Sequence, residues 1–130
     1  GLVLLVGILV GLLAGSGALA QIDLLATVTG YTAAQRLLFL VLGIAAATTE
    51  ESLFRGYLQP ALVAKVGLVG GVVIGAAVFS LYHIFMGPSP YNLFGKFLFG
   101  LVLGALRGRD RSLIAPWIAH FLFWQVMGSV

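Results

Sequence analysis

Two adjacent glutamates, Glu50 and Glu51, follow the apolar stretch 37–47 inside what the sequence indicates is a membrane-spanning helix. A charged side chain at the centre of a bilayer costs about 2.5–3.5 kcal/mol on insertion scales, and adjacent like charges repel each other. The chain has four acidic residues in total, so half of its carboxylates occupy this costly position. Ionisable side chains inside a membrane span indicate a functional site.

The composition distinguishes between a chain that folds in water and one that folds in a lipid bilayer. Of its 130 residues, 61% are hydrophobic and 8% are charged, and the mean hydropathy is +1.12. Soluble domains carry about 25% charged residues. We therefore predict an all-α fold, a polytopic transmembrane helical bundle in which residues 1–130 form a single domain. The absence of cysteine excludes disulfides, zinc ribbons and a cysteine nucleophile. Because the chain begins with Gly1 and not Met, we expect further residues upstream.

Apolar runs and the polar breaks between them define about five predicted spans. These are 2–20, 36–59, 68–85, 93–106 and 113–127, with a break at 60–67 and a loop at 86–92. Three glycine ladders accompany the spans, each with a spacing of four. They are Gly7, Gly11 and Gly15; Gly67, Gly71 and Gly75; and Gly100, Gly104 and Gly108. Residues four apart share a helix face, and small residues let helix backbones approach closely in lipid, so we predict a compact bundle.

The basic residues divide between the two predicted sides of the membrane. Lys65, Arg107, Arg109 and Arg111 follow the second and fourth spans, whereas Arg36 and Lys96 lie on the other side. The positive-inside rule places the first group in the cytoplasm. The net charge of +3 is therefore interpreted as a topology signal, and no nucleic-acid partner is predicted.

The charged cluster can be divided into a paired and an unpaired carboxylate. Glu51 precedes Arg55 by four residues, the favoured orientation for a helical ion pair, and pairing makes a buried charge tolerable. Glu50 lies about 100° away around the helix and shares that partner poorly. Glu50 is therefore the better candidate for a general base.

Both histidines of the chain, His83 and His120, fall in apolar spans. Taken singly, each is best explained as a structural residue, but together with Glu50 they suggest one cavity inside the bundle. Such a group can hold zinc with an open position for water. Alternatively, the glutamate can deprotonate a water that the histidines orient, without a metal. The His-Glu-x-x-His spacing of zinc proteases is absent.

On the predicted spans, Glu50 and His120 lie at a different depth in the membrane from His83. At 1.5 Å per residue, Glu50 and His120 lie roughly 12–15 Å from the cytoplasmic ends of their spans, and His83 lies roughly 24 Å from the end of its own. A third helix that starts later would reduce the mismatch.

Three motifs in this order resemble those of a known family. The sequence EESLFRG at 50–56 matches the Glu-Glu-x-x-x-Arg signature of the CPBP family of intramembrane proteases, which comprises the CAAX-protease and bacteriocin-processing (Abi) proteins. The sequence FSLYH at 79–83 matches its Phe-x-x-x-His motif, and 112–120 resembles its last histidine motif. The resemblance covers about 45–125.

The resemblance implies a CAAX prenyl endopeptidase of the Ras-converting type. Such an enzyme hydrolyses a peptide bond near the C-terminus of a membrane-anchored or hydrophobic peptide. By this resemblance Glu50 activates the water, His83 orients it, His120 lies at the oxyanion side, and Glu51 and Arg55 are supporting residues. We expect no cofactor. The alternative is a zinc metalloendopeptidase with Glu50, His83 and His120 as ligands.

One position departs from the family pattern, because Trp124 stands four residues after His120 where many members have asparagine. Candidate oxyanion donors are then Trp124 itself and Asn92. The departure also motivates an alternative function, a non-catalytic membrane scaffold or immunity-type protein. A weaker alternative is a proton or ion pathway through Glu50, His83 and His120.

The expected partners are a peptide or lipid-modified protein substrate and membrane lipid. We expect an integral, multi-pass location, in the plasma or inner membrane of a prokaryote or in the endoplasmic reticulum of a eukaryote.

Overall fold

The computed structural model describes residues 31–86 and 89–127, and every element in these ranges is helical. The elements are α1 (Ala33–Glu51), a π-helical segment (Ser52–Leu58), α2 (Gln59–Tyr82), a 3₁₀ turn (His83–Met86), α3 (Pro90–Asp110) and α4 (Ile114–Met127). The all-α prediction is confirmed for this part of the chain.

The predicted count of about five spans is not confirmed. Span 2–20 and the ladder Gly7, Gly11 and Gly15 lie outside the described residues. The structure has three helical runs, 33–86, 90–110 and 114–127, and the second and third predicted spans both belong to the first run. That run is long and apolar enough over Ala33–Phe85 to cross a membrane, as judged by length and composition.

A capping box fixes the start of α1, three residues before the predicted start. Thr32 Oγ1 accepts a hydrogen bond from the backbone N–H of Gln35 at 3.3 Å, and Gln35 Oε1 accepts one from the backbone N–H of Thr32 at 2.9 Å. Each bond satisfies a backbone donor that the first turn of a helix leaves free.

The sequence predicted a break at 60–67, but the helix is not broken at Pro60. In the π-helical segment each N–H bonds to the carbonyl five residues back, as Gln59 N–H does to Phe54 O. The next donor in this register would be residue 60, which as proline has no N–H. The carbonyl left over, that of Arg55, instead accepts a hydrogen bond from Arg107 Nε at 3.1 Å.

The chain reverses at Gly67, where the predicted break does occur. Gly67 has φ 77° and ψ 172°, a conformation open almost only to glycine. The two arms meet closely on either side of it, because a Cβ built on Gly71 would lie 2.8 Å from the backbone nitrogen of Val63. The first helical run is therefore a hairpin of two helical arms.

The glycine ladder of α3 packs directly against α2. A Cβ on each of its glycines would lie 2.9–3.0 Å from an atom of α2. The contact is with backbone at Gly100 and with side-chain ends at Gly104 and Gly108, so the closest approach of the two backbones is at Gly100. The pairs are Gly100 with Ala76, Gly104 with Val72, and Gly108 with Leu68. Their numbers run in opposite directions, so the helices are antiparallel, and the prediction of close packing is confirmed for this ladder.

Two side-chain bonds outside the pair of glutamates join α4 to α1. Trp117 Nε1 donates to Thr48 Oγ1 at 3.0 Å, and Gln125 Nε2 donates to the carbonyl of Phe39 at 3.1 Å. The order of these partners shows that α4 runs antiparallel to α1. This pairing places His120 beside the glutamates of α1.

The burial pattern differs from that of a soluble protein, because charged side chains are buried beside the apolar core and many apolar side chains are exposed. Arg55 and Glu51 are among the largest fully buried side chains, whereas apolar side chains such as Leu37, Val69 and Leu122 are exposed. Large exposed apolar surfaces indicate contact with a membrane or another protein. Charged groups inside and apolar groups outside suit a bundle surrounded by lipid.

Candidate active site

One buried stripe runs along α1 and the π-helical segment to the first residue of α2. Its members are spaced by four: Gly43, Ala47, Glu51, Arg55 and Gln59. Residues four apart drift by about 40° around an α-helix, which has 3.6 residues per turn. The wider π turn opposes this drift, so the polar end of the stripe stays turned towards α3 and α4.

Arg55 is held on three sides. Its Nη1 donates to Glu51 Oε1 at 2.9 Å, and its Nη2 donates to the carbonyl of Gly100 at 3.2 Å. The guanidinium also stacks over the Phe79 ring, with its carbon 4.4 Å from the ring centroid. The predicted ion pair between Glu51 and Arg55 is therefore present, and it is almost fully buried.

Glu51 has a second partner that the sequence did not reveal. His120 Nδ1 lies 2.6 Å from Glu51 Oε1, the oxygen that also accepts from Arg55. A carboxylate can only accept here, so the ring carries a proton on Nδ1. A carboxylate bonded to a histidine in this way fixes both the orientation and the tautomer of the ring, as in metal sites and catalytic triads.

His83 is oriented by the backbone of its own helix. Its Nδ1 lies 2.8 Å from the carbonyl of Phe79, so the ring carries a proton on Nδ1. α2 ends at this residue, where φ −83° and ψ 1° begin the 3₁₀ turn. The other ring nitrogen, Nε2, then lies 3.7 Å from Glu50 Oε2.

Glu50 Oε2 is the point where the two histidines meet. It lies 3.7 Å from His83 Nε2 and 3.8 Å from His120 Nε2, too far for direct hydrogen bonds. It is buried and has no hydrogen-bond partner among residues 31–86 and 89–127. Three groups that accept hydrogen bonds thus converge, because a neutral ring protonated on Nδ1 has a lone pair on Nε2. A water molecule, which carries two hydrogens, is the simplest bridge across such a separation.

A zinc ion is a second complement to three such groups, and Glu50, His83 and His120 are the predicted ligands. Within the described ranges, no group of three or more His, Cys, Asp or Glu side chains is arranged to hold a metal ion. Glu51 is already occupied by Arg55 and His120. Zinc binding by Glu50, His83 and His120 therefore stays a prediction.

The hairpin about Gly67 removes the predicted mismatch in depth. Glu50 precedes Gly67 by 17 residues and His83 follows it by 16, so the two arms bring them to the same level. The predicted depth of Glu50 was wrong because the second span was ended at Gln59, whereas the helix continues to the turn at Gly67.

Neither predicted oxyanion donor is among the side chains described above at Glu50 Oε2. The Trp124 ring packs on Phe39 of α1, with ring centroids 6.1 Å apart. Asn92 is exposed in the first turn of α3. Their role stays a prediction.

Lys96 belongs to the surroundings of the site, although the sequence analysis used it only for topology. It is half-buried on α3, its Nζ lies 5.7 Å from the centroid of the Phe123 ring, and it interacts electrostatically with Glu50 and His83. A single lysine between apolar residues of a predicted span was the signal that could have revealed it.

Comparison with known proteins gives a family match that covers all the residues of this site. The family model described as Type II CAAX prenyl endopeptidase Rce1-like matches residues 32–125. The matched stretch starts at the cap of α1 and includes Glu50, Glu51, Arg55, His83 and His120. Searches of curated proteins and of solved structures gave no match.

Proposed function

Because the chain belongs to the type II CAAX prenyl endopeptidase Rce1-like family, a family of membrane proteases, we propose that it is a multi-pass intramembrane endopeptidase with a glutamate-activated water. Its substrate would be a prenylated protein or peptide, cleaved near the C-terminus. The observation that carries the proposal is the meeting of His83 Nε2 and His120 Nε2 at Glu50 Oε2, which has no hydrogen-bond partner among the described residues.

The reaction begins with a water between Glu50 and the two imidazoles. The water donates one hydrogen to Glu50 Oε2 and the other to the lone pair of His83 Nε2. These two hydrogen bonds leave a lone pair of the water oxygen aimed at the substrate carbonyl. The water oxygen bonds to the carbonyl carbon while its proton passes to Glu50. The carbon–nitrogen bond then breaks, and Glu50 returns the proton to the leaving amine. General acid–base catalysis of this kind contributes about 10²–10⁴-fold.

His120 supports the negative charge that develops on the carbonyl oxygen. Its Nδ1 already donates to Glu51. A further proton, taken up from solvent at Nε2 in place of the lone pair of the neutral ring, would let Nε2 donate to the oxyanion. A single oxyanion donor is typically worth about 2.7–4 kcal/mol. The buried Glu51 would stabilise the positive charge on the ring, as the aspartate of a catalytic triad does.

Arg55 keeps the two glutamates compatible with one another. Adjacent carboxylates in a medium of low dielectric constant repel strongly. Arg55 neutralises Glu51 at 2.9 Å and is itself anchored on Gly100. Glu51 and Arg55 therefore act as positioning residues, and Glu50 is left for the chemistry.

The test is cleavage by the full chain reconstituted in liposomes, with a prenylated CAAX-type peptide as substrate. We expect Glu50→Gln to lower the rate by at least 10²-fold, because an amide cannot accept the water proton. Asp110→Asn, which changes an acidic residue at the end of α3, is the matched control and should cleave like the parent. Equal rates for Glu50→Gln and the parent would overturn the role of Glu50.

The same assay decides the metal question. We expect a chelator to leave the rate unchanged. Loss of activity with a chelator and its return with zinc would replace the proposed mechanism by a zinc-dependent one.

Trp124 favours a second candidate function, a non-catalytic membrane scaffold. Its ring packs on Phe39 where the family pattern offers an amide. A scaffold would retain its partner binding and phenotype in Glu50→Gln, whereas a protease would lose its phenotype.

A further inference from the structure

Lys96 is a lysine with no carboxylate at salt-bridge distance in the described structure. Over 90–106 it stands alone among uncharged residues of α3. A lysine within a membrane span is costly unless it pairs or reaches the interface. Between residues 31–86 and 89–127 no carboxylate lies within 4.0 Å of its Nζ, which instead lies over the Phe123 ring.

The Lys96 ammonium is connected to the site through aromatic rings. Phe123 stacks on Phe99, with centroids 4.1 Å apart and planes at 24°. Phe99 meets His120 edge to face, with centroids 5.4 Å apart. The ammonium also interacts electrostatically with Glu50 and His83. Its charged end is therefore directed towards the site and not out to the membrane surface.

The position of Lys96 beside Phe123 favours an anchoring role. An oxyanion donor must lie about 2.7–3.1 Å from the oxyanion. Lys96 Nζ lies beside Phe123, which follows His120 by about one turn of α4. The ammonium is therefore about one turn away from the His120 imidazole, in the direction of the C-terminal end of α4. A substrate cleaved near its C-terminus carries a carboxylate a few residues from the scissile bond, at about 3.3–3.6 Å per extended residue.

We propose that the Lys96 ammonium binds the C-terminal carboxylate of the substrate and thereby selects free chain ends. This inference rests on the proposed peptidase function and adds the group that sets the cleavage position. The Phe99 and Phe123 rings between Lys96 and His120 would contact the apolar side chains of the released residues.

The experiment compares two prenylated peptides that differ only at the end, one a free acid and one a C-terminal amide. The parent is expected to cleave the acid at least tenfold better in kcat/KM, mainly through KM. In Lys96→Met, which keeps the length of the side chain without its charge, cleavage of the acid should fall to the rate of the amide. Cleavage of the amide should not change, and Lys96→Arg should retain the preference.

Each other outcome overturns the inference. Equal cleavage of acid and amide by the parent shows that the enzyme does not recognise the C-terminal carboxylate of the substrate. A drop in kcat for both peptides in Lys96→Met assigns the lysine to the oxyanion or to structure instead. Lys65→Met, an exposed lysine near Gly67, is the control for loss of a positive charge, and thermal unfolding reports whether Lys96→Met is folded.

A binding measurement separates this inference from the proposed function. If the parent cleaves neither peptide, the peptidase function fails, and binding of acid and amide to the parent and to Lys96→Met still tests the lysine. Tighter binding of the acid that disappears in Lys96→Met supports the inference, and equal binding of both peptides by the parent overturns it.

Discussion

His120 donates from Nδ1 to Glu51 Oε1 across 2.6 Å, so the carboxylate next in sequence to Glu50 orients the imidazole on the far helix. The same oxygen accepts from Arg55. The two neighbouring glutamates thus have different surroundings. Glu51 is fixed through Oε1 by two partners. In the described part of the chain Glu51 Oε2 and Glu50 Oε2 have no hydrogen-bond partner. This difference leads to distinct expectations for stability and for activity.

Glu51→Gln should lower both the stability and the rate, whereas Glu50→Gln should lower the rate alone. Removing the Glu51 charge leaves Arg55 buried without its partner, which typically costs about 3–5 kcal/mol. Glu50→Gln removes a carboxylate that has no such partner and lies beside another carboxylate. Thermal unfolding in detergent and cleavage assays measure the two effects. Equal loss of stability in both variants would contradict the division of roles.

Gly100→Ala should destabilise the bundle and slow cleavage. The added Cβ would lie 3.0 Å from Ala76 Cα and push α3 away from α2, and Gly100 also supplies the carbonyl that anchors Arg55. Overpacking of this kind typically costs about 1–3 kcal/mol. The matched control is Gly95→Ala on the same helix, where a Cβ meets nothing within 4 Å and helix propensity favours alanine. A Gly100→Ala protein as stable and active as Gly95→Ala would show that the close approach is dispensable.

Arg107→Gln should destabilise the protein, and Pro60→Ala should rescue it. Arg107 Nε satisfies the Arg55 carbonyl that Pro60 leaves without a donor, and an unsatisfied buried carbonyl costs about 1–3 kcal/mol. Alanine at position 60 restores a backbone N–H that can take over. A double-mutant cycle on the free energy of unfolding measures the coupling, with Arg109→Gln, an exposed arginine, as control. Additive effects of the two changes would remove this explanation of the π-helical segment.

The features that depend on neighbouring residues were predictable from sequence. The pairing of Glu51 with Arg55 follows from a spacing of four, and the turn at Gly67 follows from glycine after a basic residue and before a new apolar run. Closeness of α3 to its neighbour follows from the glycine ladder, although the identity of that neighbour does not.

The features that depend on distant parts of the chain were missed. The bond between Glu51 and His120 joins residues 69 apart, and the bond from Arg107 to Arg55 joins residues 52 apart. The expected break at Pro60 was wrong because a distant arginine satisfies the carbonyl that proline cannot. The predicted loop 86–92 was too long, since Pro90 begins α3 in the first helical turn, where its fixed φ is favourable.

Because the chain turns back at Gly67, the number of residues in each arm of the hairpin decides whether Glu50 and His83 lie at the same level and face each other. One residue added to either arm advances everything beyond it by about 1.5 Å and rotates it by about 100°. A single insertion or deletion between positions 51 and 82 would therefore turn one of the two side chains away from the other, even if every contact residue kept its identity. Homologous chains can differ in sequence along these arms, but an enzyme of this design has to conserve their length.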